Sequence, residues 1–219
     1  MSILALSDIH LGAYNCEAKK VLQVLDIAKD YDEIVINGDL VDSHLYNLKK
    51  KHWEVLAELS KLSRKHKVIY IRGNHDEFSS ITLSSLTGME ILDSYKTTIK
   101  GIGFHFEHGH AYDDFIVKNP GLTALADTVY STLQWVDPTH SLAKWAKEKS
   151  KAFLRCKEKV KAGCVAKGQQ EKCAWSIVGH THFVELDQDI GYINLGCFTE
   201  KPCNYLTINK YGEPKLHNI

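Results

Sequence analysis

Ile34-Val35-Ile36-Asn37-Gly38-Asp39-Leu40-Val41-Asp42, residues 34–42, begins as a short apolar run and stops at a glycine that delivers a carboxylate. An apolar run of this length fits a buried strand. Gly38 permits a sharp turn and close backbone approach at its end. The same pattern recurs on either side. Ile3 to Leu6 leads into Ser7-Asp8-Ile9-His10, and Val68 to Ile71 leads into Arg72-Gly73-Asn74-His75-Asp76. Between these runs lie two helical stretches. Val21, Leu22, Leu25 and Ala28 share one helical face, and Leu56, Leu59 and Leu62 share another. The order β-α-β-α-β predicts parallel strands covered by helices. Such units carry their working residues beyond the carboxyl ends of the strands.

The second half reads differently. Thr97 to Ile99 and Phe104 to Glu107 are predicted strands around Gly101-Ile102-Gly103, and the second runs into His108-Gly109-His110. A long stretch without strand signal follows. Leu122, Leu125, Ala126, Val129, Leu133 and Val136 form a helical stripe. Leu142, Trp145, Ala152 and Phe153 suggest another after Pro138, and residues 163–170, with two glycines, read as a loop. Trp175 to Val178 resumes strand character and ends at Gly179-His180-Thr181-His182. Two more runs, Tyr192 to Leu195 and Tyr205 to Ile208, complete a β-rich tail with a turn at Tyr211-Gly212. There is no internal repeat and no low-complexity tract.

Bulk properties fit one domain: 219 residues, 44% hydrophobic, 25% charged, with 27 basic and 27 acidic side chains giving zero formal charge. The balance is uneven along the chain. Residues 144–172 hold ten Lys/Arg against three Asp/Glu, so the remainder, which contains the acidic motifs, carries seven net negative charges. The basic stretch suits an anionic substrate or an anionic membrane surface. Nucleic acid ranks lower, because no nucleic-acid motif accompanies the charge. No apolar run approaches the roughly 20 residues of a membrane span. The N-terminus lacks a basic leader and runs straight into a motif, so no signal peptide is expected. The six cysteines contain no C-x-x-C pair. They read as free thiols of a reduced, cytoplasmic protein in preference to a disulfide framework; Cys156, Cys164 and Cys173 are too loosely spaced for a convincing zinc site.

The five motifs collect carboxylate, amide and imidazole groups, enough for two metal ions. Asp8 and His10 flank one residue, so on a strand both face the same side. A D-x-H pair is common by chance, and a turn cap and a surface histidine are the alternatives. Asp39 has two oxygens and can bridge two ions; Asp42 can accept a hydrogen bond beside them or cap a turn. Asn74 supplies a neutral oxygen that limits the negative charge of a metal site. His75 beside it is a titratable imidazole pointing elsewhere along the turn, or an exposed histidine of a polar turn. His108, His180 and His182 add imidazoles. His110 suits substrate contact, support of a ligand, or a plain surface position. His44, His52, His66, His105, His140 and His217 lack motif context and read as structural or exposed. No G-x-S-x-G is present and no cysteine lies in a motif, so a side-chain nucleophile lacks support.

In order and content the motifs resemble the calcineurin-like metallophosphoesterase family, and most closely UDP-2,3-diacylglucosamine diphosphatase-like members. That resemblance implies an α/β fold, a β-sandwich flanked by helices in αββα layers. It implies one domain, residues 1–219, with a helical cap insertion at about 115–173. It assigns Asp8, His10 and His182 to one ion, Asn74, His108 and His180 to the other, and Asp39 to both. His75 becomes the general acid, oriented by Asp76, and Asp42 and His110 contact substrate or support the ligands. The implied activity is hydrolysis of a phosphodiester or diphosphate by a metal-activated water. The implied cofactors are two divalent ions, Mn2+ first, with Fe or Zn as alternatives. A UDP-2,3-diacylglucosamine-like nucleotide lipid is the suggested substrate, with peripheral contact to the inner face of the membrane through the basic insertion. One departure stands out: the bacterial lipid enzyme has Arg after the motif Asn, where this chain has His75. Nucleotide or protein phosphomonoester hydrolysis, and a non-catalytic metal-binding scaffold, are the competing readings.

Overall fold

The computed structural model describes residues 1–42, 48–76, 80–113 and 151–219. The predicted alternation is present as β1 (Ile3–Leu6), α1 (Ala18–Ile27), β2 (Glu33–Asn37), α2 (Lys50–Ser63) and β3 (Lys67–Ile71). The three strands are adjacent and parallel, with Leu6 opposite Ile36 and Asn37 opposite Ile71. This register brings their carboxyl ends to one edge. Two elements without a clear sequence signal follow: α3 (Ser80–Thr87) and β4 (Glu90–Leu92), which adds in parallel to β3. At the other side, β10 (Asn204–Ile208) pairs antiparallel with β1, and β11 (Pro214–Asn218) with β10. The six-stranded order is β11-β10-β1-β2-β3-β4.

A second sheet is built from the hairpin β5 (Ser94–Ile99) and β6 (Ile102–Glu107), then β7 (Trp175–Val178), β8 (Glu185–Asp187) and β9 (Tyr192–Asn194), in the order β5-β6-β7-β9-β8. Strands β6, β7 and β9 run parallel, with Phe106 opposite Ile177 and Val178 opposite Asn194.

Strand alternation divides the core. Ile3, Ala5, Val35, Ile69, Ile71 and Leu206 of the first sheet meet Phe104, Phe106, Ile177 and Ile193 of the second. The intervening residues, Leu4, Leu6, Ile34, Ile36, Val68 and Tyr70, face outward and are covered by Val21, Leu25, Val55 and Leu59 of α1 and α2. A 20-residue helix, α4 (Lys151–Gln170), lays Val160 and Cys164 against Val178 and Tyr192 on the far side of the second sheet. The layers are therefore helix, sheet, sheet, helix, as the resemblance implied.

Two readings need correction or placement. Residues 163–170 are the last turns of α4 and not a loop. The glycines let the helix approach: a side chain at Gly163 would enter the Tyr112 ring, and one at Gly168 would enter Ser176. The predicted stripe from Leu122 to Val136 lies outside the described residues, as do Leu142 and Trp145 of the second, whose Ala152 and Phe153 fall at the start of α4. All six cysteines are free thiols.

Candidate metal centre

The loops after β1, β2 and β3, and those after β6 and β7, meet along the shared edge. Their connection is direct. Asp8 N donates to Gly38 O at 3.1 Å, His10 N to Asp39 O at 2.9 Å, and Gly179 N to His108 O at 3.2 Å. His180 N donates to both Asp8 oxygens, at 3.1 and 3.0 Å, joining the first motif to the last.

The backbone is bent hard to do this. Asp8, His10 and Asp39 each have φ 50°, His180 has 64° and His182 has 59°. A left-handed conformation is uncommon outside glycine and clusters at functional sites. Two glycines admit the crowding. Gly38, at φ 92°, lies against the His108 ring, and Gly73 lies against the carboxylate and amide of Asp39, so either position would reject a side chain.

Asp39 sits centrally. Its Oδ2 is 3.2 Å from His108 Nε2 and 3.7 Å from His10 Nε2. His182 Nε2 is 3.2 Å from Asp8 Oδ1 and 3.3 Å from His10 Nε2. Several three-residue ligand groups result, including Asp8 with His10 and His182, Asp8 with Asp39 and His108, and His10 with Asp39 and His75. Asn74 Oδ1 is buried without a hydrogen bond, and buried His108 Nε2 meets only the Asp39 carboxylate. Buried polar atoms are normally satisfied, so an orphaned acceptor in a site with two buried carboxylates fits a divalent cation. The donors are also oriented. His108 Nδ1 is 3.0 Å from Asn37 O, which leaves Nε2 as the basic nitrogen facing Asp39.

The charges agree. Burial would raise the Asp8 carboxyl, but His108 and His182 overcome it and hold it at about 2. Burial would likewise raise Asp39, yet His108 and His75 hold it well below the usual carboxylate range. His108 is pushed the other way: burial opposes its charge, but Asp39 and Asp8 raise it to about 9. For His110 the balance is reversed, since burial and its neighbouring histidines lower it by more than Asp39 and Glu107 raise it. Burial, then His108 and His180, lower it to about 4, so it is neutral at pH 7 with a buried, unpartnered Nδ1. Its ring lies 5.5 Å from that of His108.

His75 stands beside this group, its ring centroid 4.8 Å from that of His10 and its amide donating to Asp39 Oδ1 at 3.0 Å. The carboxylate at its ring is Asp42, with Oδ1 3.2 Å from Nδ1. Asp76, which the resemblance made the orienting group, accepts from Gly73 N at 3.0 Å, Val41 N at 3.2 Å and Leu40 N at 3.4 Å. It ties the second and third motifs together through the backbone.

The calcineurin-like phosphoesterase family matches residues 1–183, a span holding all five motifs. The chain belongs to that family. Calcineurin-like phosphoesterases use divalent metals, and the groups above are candidate ligands for them. Solved structures share the fold. An archaeal phosphodiesterase is 15% identical at TM-score 0.51, with 100% of both chains covered. Yfce, a phosphoesterase from E. coli, is 18% identical at TM-score 0.51, covering 95% of this chain and 88% of its own. Vps29 from Entamoeba histolytica, solved with Zn2+, is 14% identical at TM-score 0.51, covering 100% and 98%. No protein of curated function gives a significant sequence match.

Three supports of this calcineurin-like site were not singled out from sequence. Asp113 Oδ2 lies 3.1 Å from His180 Nε2, and Glu200 Oε1 lies 3.9 Å from His182 Nδ1. His52, read as structural or exposed, is buried, and its Nδ1 accepts from Gly12 N at 3.1 Å and Lys49 N at 3.2 Å. It pins the loop after Asp8 and His10 to the start of α2. His105 is buried under α4, and His44 and His140 lie outside the described residues.

Proposed function

We propose that this protein is a metal-dependent hydrolase of phosphodiesters or diphosphates, with two divalent ions held by Asp8, His10, Asp39, Asn74, His108, His180 and His182. The observation that carries this reading is the buried, unpartnered Asn74 Oδ1 in a site where the Asp39 carboxylate lies between His108 and His10. When bound, a metal pair supplies a nucleophilic water near neutral pH and stabilises charge on the phosphoryl oxygens. The chain's own part is to hold the ligands against a rigid sheet edge and to move a proton. His75, its Nδ1 held by Asp42, presents the remaining nitrogen as a donor to the leaving oxygen. His110, neutral at pH 7 and with its ring 5.5 Å from that of His108, supports the ligand set or contacts substrate.

Manganese is the first ion to test, with iron and zinc as alternatives. The resemblance also suggests a UDP-2,3-diacylglucosamine-like substrate in a cytoplasmic setting, with peripheral contact at an anionic membrane. Two observations bear on that finer reading. Lys157 and Lys161 of α4 lie 2.6–2.8 Å from Glu185 or Asp187, so they serve the fold before any lipid. Among the described residues no helix is long and apolar enough to cross a membrane. Hydrolysis of bis(p-nitrophenyl) phosphate, p-nitrophenyl phosphate and a nucleotide diphosphate lipid, each with added Mn2+, separates the readings. Diester or diphosphate turnover supports the proposal, and turnover of the monoester alone favours phosphomonoester hydrolysis. Binding of two ions with no ester cleaved would sink the enzymatic reading in favour of a scaffold.

A further inference from the structure

Each histidine named as a ligand must choose which ring nitrogen faces the ion. The choice at His180 is made by a residue outside the five motifs. Asp113 follows the short 3-10 turn His110–Tyr112 and is buried, and its amide donates to His110 O at 3.0 Å. Its Oδ2 lies 3.1 Å from His180 Nε2. The same oxygen accepts from Cys156 Sγ of α4, also at 3.1 Å. A carboxylate oxygen has lone pairs for both donors.

We propose that Asp113 is the positioning residue for His180: it accepts a hydrogen bond from Nε2–H, which leaves Nδ1 as the lone-pair nitrogen for the metal ion, and it is itself held by the Cys156 thiol. The inference rests on the reading of His180 as a ligand. In a neutral imidazole one nitrogen donates and the other accepts, so a carboxylate at Nε2 fixes the tautomer. The main chain of His180 is already fixed by the Asp8 carboxylate. The side chain is therefore set from the fourth motif's segment while the backbone is set from the first. Through Cys156, α4 becomes a structural neighbour of the metal centre as well as a cover for the second sheet.

The test is Co2+ titration of the full chain, followed by calorimetry and by the d–d absorption of the bound ion. Asp113→Asn is expected to weaken one of the two ions about ten- to a hundredfold and to change its absorption bands, with the other ion unaffected. Asp113→Ala should match it, and Asp113→Glu should recover part of the loss. Cys156→Ser should keep the wild-type affinity, while Cys156→Ala weakens the same ion by less than Asp113→Asn does. Circular dichroism melts screen each variant for folding. If Asp113→Ala does not fold, the near-isosteric Asn variant decides alone. Unchanged affinity in His180→Ala overturns the ligand reading itself. Weakened binding in His180→Ala with wild-type affinity and bands in the Asp113 variants overturns only the positioning role. Wild-type affinity in Cys156→Ala removes the thiol from it.

Discussion

At the scale of single residues, the proposed function divides the site into groups for holding metal and groups for moving protons, and the division is measurable. Asn74→Ala should lower metal occupancy and turnover together, because Asn74 Oδ1 is a buried acceptor without another partner. His75→Ala should lower kcat by about 10²- to 10⁴-fold with both ions retained, which metal analysis and steady-state kinetics would show. Asp42→Asn should lower kcat less, about 10²-fold, because it misplaces the His75 ring without removing it. The Asp42 and His75 losses should also fail to add in the double variant, as expected for residues that act as a unit. Additive losses would mean that Asp42 works elsewhere. The sequence made the ligand types legible, since each motif follows an apolar run. It did not distinguish Asp42 from Asp76 as the partner of His75. Both lie a few residues from a strand end, and only the turn geometry shows that Asp76 is engaged by three backbone amides.

At the scale of elements, the three parallel strands and their two helices were legible because apolar periodicity is strong there. Short or exposed elements were not. β4, β8 and β11 have no fully buried residue, so they lack the alternation that marks a half-buried strand. The end of α4 was misread because glycine signals a break by propensity, whereas here it serves packing. That gives an unusual expectation. Gly163→Ala in the middle of an ordinary helix should stabilise by about 1 kcal/mol. Here the added methyl meets the Tyr112 ring, and the variant should melt at a lower temperature than wild type. A higher melting temperature would mean that Tyr112 yields freely.

At the scale of the whole molecule, stability has two sources that can be read separately. Phe106 is fully buried between the sheets, so Phe106→Ala should cost about 3–5 kcal/mol in denaturant unfolding, with or without metal. The metal contribution follows mass action. At an ion concentration about 100 times Kd, the folded state gains roughly 2.7 kcal/mol, which EDTA should remove as a drop in melting temperature. A chelator without effect on melting would argue against ligands drawn from so many segments. The fold class was legible at this scale, while the closing of the first sheet by the chain's last strands was not, since Tyr205 to Ile208 could have joined either sheet. That closure has a consequence for synthesis. β1 lies between β2 and β10, so residues 3–6 wait for residues 204–208 before their second edge is covered. A growing chain, or one cut before Asn204, exposes a row of unpaired amides and carbonyls beside Ile3, Leu4 and Ala5, an edge primed to pair with another copy. A chain cut before Asn204 is therefore expected to aggregate in place of leaving a smaller folded unit, which light scattering of the truncated protein would show.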